Sequence, residues 1–173
     1  VADRFSIGGI AKGSGMIHPD MATLLCFLTT DAGVAPGYLK RALRRAVDAS
    51  LNMITIDGDT STNDTVLVMA NGLASDVTII EGNPEAEMFQ QGLEAVCRHL
   101  AREIVRDGEG VTRLIEFTVS GASSLVGARL AARTVVSSPL VKAAVHGSDP
   151  NWGRILAAAG RSGTFIEEKL LDL

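Results

Sequence analysis

Apolar and polar positions change period several times along the chain. Residues 23–30, TLLCFLTT, form an unbroken β-branched and apolar run that Asp31-Ala32-Gly33 closes, which predicts a buried strand. From Tyr38 to Met53 the residues Leu39, Leu43, Ala46, Val47 and Leu51 recur at helical steps. Lys40, Arg44, Arg45 and Asp48 fall elsewhere, so the segment reads as an amphipathic helix. A polar loop, DGDTSTND at 57–64, leads into a second apolar strand, TVLVMAN. A second helix follows: Asn83 can cap it, Pro84 suits its first turn, Phe89, Leu93, Val96, Leu100 and Ile104 mark its buried face, and DGEG stops it near Arg106. Residues 112–120 alternate as a half-exposed strand does, with Leu114, Glu116 and Thr118 on one side and Ile115, Phe117 and Val119 on the other. An alanine-rich helix is expected over 123–136, interrupted at Pro139, and DPNWGRILAAAG at 149–160 reads as a turn opening a last helix.

The alternation of strands and helices predicts an α+β or α/β sandwich. A domain boundary is placed at the interruption near Ser137, dividing residues 1–136 from 137–173.

Composition narrows the class. In 173 residues, 46% are hydrophobic but only 4% aromatic, so the core is built from Ala, Val, Leu and Ile. The two cysteines, Cys26 and Cys97, lie in apolar segments without a CxxC pair, which suits a reducing, cytoplasmic setting and a core role. A net charge of −4 with no basic stripe argues against nucleic-acid binding. No uninterrupted apolar segment is long enough for a membrane span, and the N-terminus lacks a signal-peptide layout, so a soluble protein without a membrane partner is expected. The opening Val1 and the closing FIEEKLLDL suggest a piece of a longer polypeptide.

Several motifs fail on inspection. GGIAKGSG at 8–15 lacks a Ser or Thr after its lysine, and no adequate upstream strand is predicted, so a glycine turn offering Lys12 to a substrate fits better than a phosphate loop. DGDTSTNDTVLV starts like a calcium loop at Asp57, Asp59 and Ser61. It has Thr62 where the loop needs Gly and Val68 where it needs Glu, which leaves a hydrogen-bonded turn. His18, His99 and His146 have no metal-ligand spacing, so no metal is expected. Trp152 reads as a packing anchor, and Glu109, between two glycines, as a solvated turn unless close packing aims it into a cleft. Thr23 has two readings. It is either a β-branched residue opening a strand or a nucleophile, which requires cutting the Ala22–Thr23 bond. Attack of its hydroxyl on the Ala22 carbonyl would free an α-amino group of pKa about 8, able to act as base for that hydroxyl.

Four separated stretches, KGSGMIHPDMATLL (12–25), DGDTSTNDTVL (57–67), DGEGVTRLIE (107–116) and SSPLVKAAVHGSDPNWGRI (137–155), resemble in this order the ornithine acetyltransferase family, the bifunctional glutamate N-acetyltransferases of arginine biosynthesis. The resemblance implies a layered α/β sandwich bearing the nucleophile over 1–136 and the start of a second, smaller domain over 137–173. It further implies self-cleavage at Ala22–Thr23 into an α-chain and a β-chain, Thr23 as catalytic nucleophile, and substrate contacts from Lys12, Thr23 and Glu109. The implied reaction moves acetyl from N-acetylornithine to glutamate through acetyl-threonine, without a cofactor; some members also take acetyl-CoA as donor. Homo-oligomers are the family habit. The family's oxyanion donors, a Thr-Gly pair well before the cut, and its C-terminal Asn and Thr contacts have no counterpart in this chain, which is therefore expected to be inactive and uncut alone. IHPDMA also departs from the commoner residues around the proline, and His18 receives no role. Two alternatives stand beside this one: a related Thr-nucleophile amidase or aminopeptidase, and a silent domain that assembles with partner chains.

Overall fold

The chain runs in the order β1 (Ile7–Lys12), β2 (Leu25–Thr30), β3 (Gly33–Val34), α1 (Pro36–Asp48), a 3₁₀ turn (Leu51–Met53), β4 (Thr65–Ala70), β5 (Thr78–Ile79), α2 (Pro84–Arg106), α3 (Leu125–Val136), α4 (Pro139–His146) and α5 (Trp152–Gly160). This computed structural model describes residues 5–18, 24–167, 169 and 171–173. The α+β class expected from the sequence is observed. β2 is central, antiparallel to β1 and parallel to β4, and β3 pairs with β5 in a separate ribbon.

The run expected to be a buried strand has two unlike faces. Cys26, Leu28 and Thr30 point into the core, whereas Leu25, Phe27 and Thr29 alternate outward. Ladder register sets Ile10, Phe27 and Leu67 in one row across the three strands, and they are 71%, 36% and 43% exposed. Among the described residues the sheet's core face packs on the helices and its other face stays largely exposed. β1 is absent from the sequence reading. Its glycines erase the apolar alternation, but Gly9 has a packing reason: an added Cβ would stand 2.6 Å from Leu28 Cδ2 and 3.1 Å from Leu100 Cδ1, so glycine lets α2 close on the sheet.

The helices follow their sequence signals closely. On α1, Tyr38, Ala42 and Ala46 form the most buried stripe, with Leu39, Leu43 and Val47 packed beside it. On α2, Phe89, Leu93, Cys97, Ala101 and Ile104 are buried, and Val96 and Leu100 flank them. The Asn83 side chain accepts a hydrogen bond from Ala86 N–H at 3.1 Å, capping α2 as expected. Asn83→Ala should lower stability by about 1 kcal/mol, read as a shift of the denaturation midpoint at unchanged slope.

A second apolar cluster unites Val135, Val141, Ala158 and Ala159 with Phe117, Val145, Ile155 and Ile166, joining α3, α4 and α5. Two expectations are corrected here. Residues 112–120 keep the alternating burial, with Ile115, Phe117 and Val119 on the inner side, but form no ladder among the described residues. The periodicity reports which side is apolar; a strand also needs a neighbour. Trp152 is 65% exposed and anchors nothing, because α5 packs through its small residues Ala158 and Ala159. No helix among the described residues is long and apolar enough to cross a membrane.

Candidate active site

The site is built where three strand ends meet. β1 stops at Lys12, which the register sets opposite Leu25, the first residue of β2, and Leu25 is paired on its other side with Thr65, the first residue of β4. The Gly-Ser-Gly turn after Lys12 and the polar loop 57–64 before β4 therefore emerge at the same end of the sheet.

Glu109 comes to this end from α2. Past the helix cap at Asp107, Gly110 takes φ +67°, a left-handed conformation that glycine adopts without steric cost. Gly108 is tightly enclosed: an added Cβ would meet Val111 Cγ2 at 2.7 Å and Ile56 Cδ1 at 2.9 Å. The DGEG turn thereby docks on the Lys12–Gly15 turn, with Glu109 N–H donating to Ser14 O at 2.7 Å. Glu109 Oε2 stands 3.3 Å from where a Cβ on Gly15 would lie, and Asp57 Oδ2 stands 3.7 Å from it. Glu109 itself stays exposed. Lys12 is exposed and lines, with Gly13–Gly15 and the last turns of α2, an open cleft of about 670 Å³. Lys12 and Glu109, nearly a hundred residues apart in sequence, are brought to two turns that dock on each other. Ala22 and Thr23 lie outside the described residues.

Both flanks of that segment are described, and both are tied to one loop. On the upstream side, Met16 takes φ 57°, unusual for a residue with a Cβ. Met16 N–H donates to Asp57 Oδ2 at 2.6 Å and Ile17 N–H to Asp57 Oδ1 at 3.2 Å. The Ile17 carbonyl accepts from Ile56 N–H at 2.8 Å and from Thr55 Oγ1 at 3.1 Å. On the downstream side, Leu24 N–H donates to Asp64 Oδ1 at 2.8 Å and the Leu24 carbonyl accepts from Thr65 N–H at 3.1 Å.

Electrostatics separate the two aspartates. Partial burial works against the charge on Asp57, but N–H donors from Asp59, Met16 and Ile17 outweigh it and hold its carboxyl below the ordinary range. Burial raises Asp64, and the N–H donor from Leu24 offsets that only in part. Lys142 on α4 donates to the Ile56 carbonyl at 2.7 Å; burial lowers its pKa against the pull of nearby Asp57. It ties the second cluster to this end of the sheet. Sequence reasoning read Asp57 and Asp64 only as turn formers and passed over Lys142. The available signal was the density of Asp, Asn, Ser and Thr immediately before a strand, since such side chains are placed to bond backbone N–H groups.

The remaining candidates fall to the core. Burial pushes the Cys26 thiol up to about 11 and, with the neighbouring Cys26 adding to it, Cys97 up to about 12, so neither supplies thiolate at neutral pH. His18 Nδ1 lies 3.2 Å from Thr55 Oγ1. Among the described residues no three His, Cys, Asp or Glu side chains are grouped to hold a metal ion.

The ArgJ family model matches residues 1–173. The arginine biosynthesis bifunctional protein ArgJ of Dehalococcoides mccartyi is 56% identical over 98% of this chain and 42% of that protein. Its namesake in Symbiobacterium thermophilum is 59% identical over 97% of this chain and 42% of that protein. The chain thus spans less than half the length of these relatives. The crystal structure of the protein of the same name from Bacillus halodurans superposes with a TM-score of 0.77 at 46% identity, covering 81% of this chain and 65% of the other. With a family model covering its whole length, the chain belongs to the ArgJ family.

Proposed function

We propose that this chain is the nucleophile-bearing part of an acetyltransferase of arginine biosynthesis that cuts itself at Ala22–Thr23 and then carries acetyl on Thr23. The observation that carries the reading is the double tether: residues 17 and 24, on either side of the processing segment, are each bonded at both N–H and carbonyl to residues 55–65. A bond that must bend toward an N-to-O acyl shift needs fixed ends on both sides, since a free segment would relax instead. Among the relatives, the two just named are called bifunctional proteins of arginine biosynthesis.

In this reading the Thr23 hydroxyl attacks the Ala22 carbonyl and the peptide becomes an ester. The shift breaks the Ala22–Thr23 C–N bond and frees the Thr23 α-amino group. Water then hydrolyses the ester, releasing the Ala22 carboxylate and restoring the Thr23 hydroxyl, whose proton the amino group takes in the next step. The hydroxyl then attacks the acetyl carbonyl of N-acetylornithine, ornithine leaves, and the amino group of glutamate takes the acetyl from the ester. Lys12 and Glu109 offer one positive and one negative group on two turns that dock on each other, matching the carboxylate and amino ends of amino-acid substrates. The partly exposed row Ile10, Phe27 and Leu67 is where the rest of the polypeptide adds a second layer, so the complete sandwich and the oxyanion donors come from outside these residues.

Gly15 tests the pairing of Lys12 and Glu109. An alanine there would crowd the free end of the Glu109 side chain, which can move at little cost to the fold. Gly15→Ala in the full-length polypeptide should leave stability within about 0.5 kcal/mol and raise KM about tenfold with kcat nearly unchanged. The reaction itself is tested by following labelled acetyl from N-acetylornithine. Transfer to glutamate exceeding release to water is expected; the reverse partition would make the protein an amidase.

A further inference from the structure

We propose that Asp64 is a positioning residue for the nucleophile, holding the peptide unit that follows Thr23 in one plane both before and after the chain is cut. The inference rests on the reading of Thr23 as nucleophile. Asp64 Oδ1 accepts from Leu24 N–H at 2.8 Å, and Leu24 is only 3% exposed, so this N–H has no water to turn to. A peptide unit is planar, and the unit that ends in the Leu24 nitrogen begins at the Cα of residue 23. Fixing that N–H therefore fixes the plane this unit shares with the Cα of residue 23.

The placement of Asp64 follows from the sheet. It precedes Thr65, whose N–H donates to the Leu24 carbonyl at 3.1 Å, so the carboxylate lies one step beyond the last ladder bond between β2 and β4. Leu24 is thus bonded on both sides of its Cα. The need is greatest after processing. Thr23 is then a chain terminus, and termini fray unless tied down. The opposite flank is held by Asp57, which binds Met16 and Ile17 of the upstream piece. Of the two aspartates, Asp64 is the one bonded to the residue next to the new N-terminus. Partial burial of Asp64 works against its charge, a cost consistent with a group kept for the bond it makes.

The test uses the full-length polypeptide in pulse-labelled cell-free synthesis, with wild type, Asp64→Asn, Asp64→Glu and Asp64→Ala. Mass spectrometry follows the appearance of the fragment beginning at Thr23. Transfer from N-acetylornithine to glutamate then gives kcat and KM for the processed protein. An Asn side-chain oxygen accepts the same bond, so Asp64→Asn should process and turn over within about threefold of wild type. Glu carries the oxygen one methylene too far and Ala lacks it; both should slow processing and lower kcat by about tenfold or more, with KM changed less than about twofold. Should Asp64→Ala fail to accumulate, the contrast between the Asn and Glu variants decides. Wild-type kcat and processing in the Glu and Ala variants would overturn the proposal alone, as would an Asn variant as slow as Ala. A wild-type protein that stays uncut would overturn the Thr23 reading together with this one.

Discussion

Thr23→Ala in the full-length polypeptide is expected to leave one uncut chain and to lower acetyl transfer by about a thousandfold or more. The two losses share a cause. The hydroxyl that attacks the Ala22 carbonyl is the one that later attacks the acetyl carbonyl, and alanine supplies neither attack. An uncut chain also lacks the free α-amino group that would serve as base. Thr23→Ser keeps a hydroxyl and should retain both steps at reduced rate, which separates loss of chemistry from loss of fold. The measurements are intact-mass analysis for the cut and a transfer assay on the same preparation. Retained transfer in Thr23→Ala would remove Thr23 from the mechanism.

The 173-residue chain by itself is expected to keep Ala22–Thr23 intact and to transfer no acetyl. Each missing oxyanion donor costs about 3 kcal/mol in comparable acyl-transfer sites, so losing a pair slows attack by about four orders of magnitude. The chain also spans 42% of these relatives' length, and among the described residues it presents a partly exposed apolar row across its sheet. Adding the rest of the polypeptide should restore both activities and protect Phe27 and Leu67 from solvent. Intact mass after prolonged incubation checks the first half, and efficient cutting of the isolated chain would sink it.

Legibility in the sequence followed the range of the forces. Helices α1 and α2 were readable almost residue by residue, because spacing, Asn83, Pro84 and the DGEG stop are local signals. β1 was not, since Gly8 and Gly9 carry no apolar pattern and the reason for Gly9 is the distant Leu100. The ladder expected over 112–120 failed for a related reason: alternation is local, but pairing depends on a partner strand. At the site, the resemblance marked Lys12 and Glu109, and the fold brought them to two turns that dock on each other. Asp57 and Asp64 looked like ordinary turn residues, because their bonds to Met16, Ile17 and Leu24 cross some forty positions. Such contacts become visible only once β4 is known to lie beside β2. Exposed ion pairs such as Arg102 with Glu116 add little to either account.

The central claim is that Thr23 carries the acetyl group. It is tested by incubating the processed full-length protein with N-acetylornithine in the absence of glutamate, quenching with acid, and mapping the acetyl group by peptide mass spectrometry. The account predicts one acetyl ester on the hydroxyl of Thr23, on a peptide that begins at that residue, and its loss when glutamate is added before the quench. Acetyl on another residue, or full transfer by a protein that never exposes Thr23 as a terminus, would contradict it.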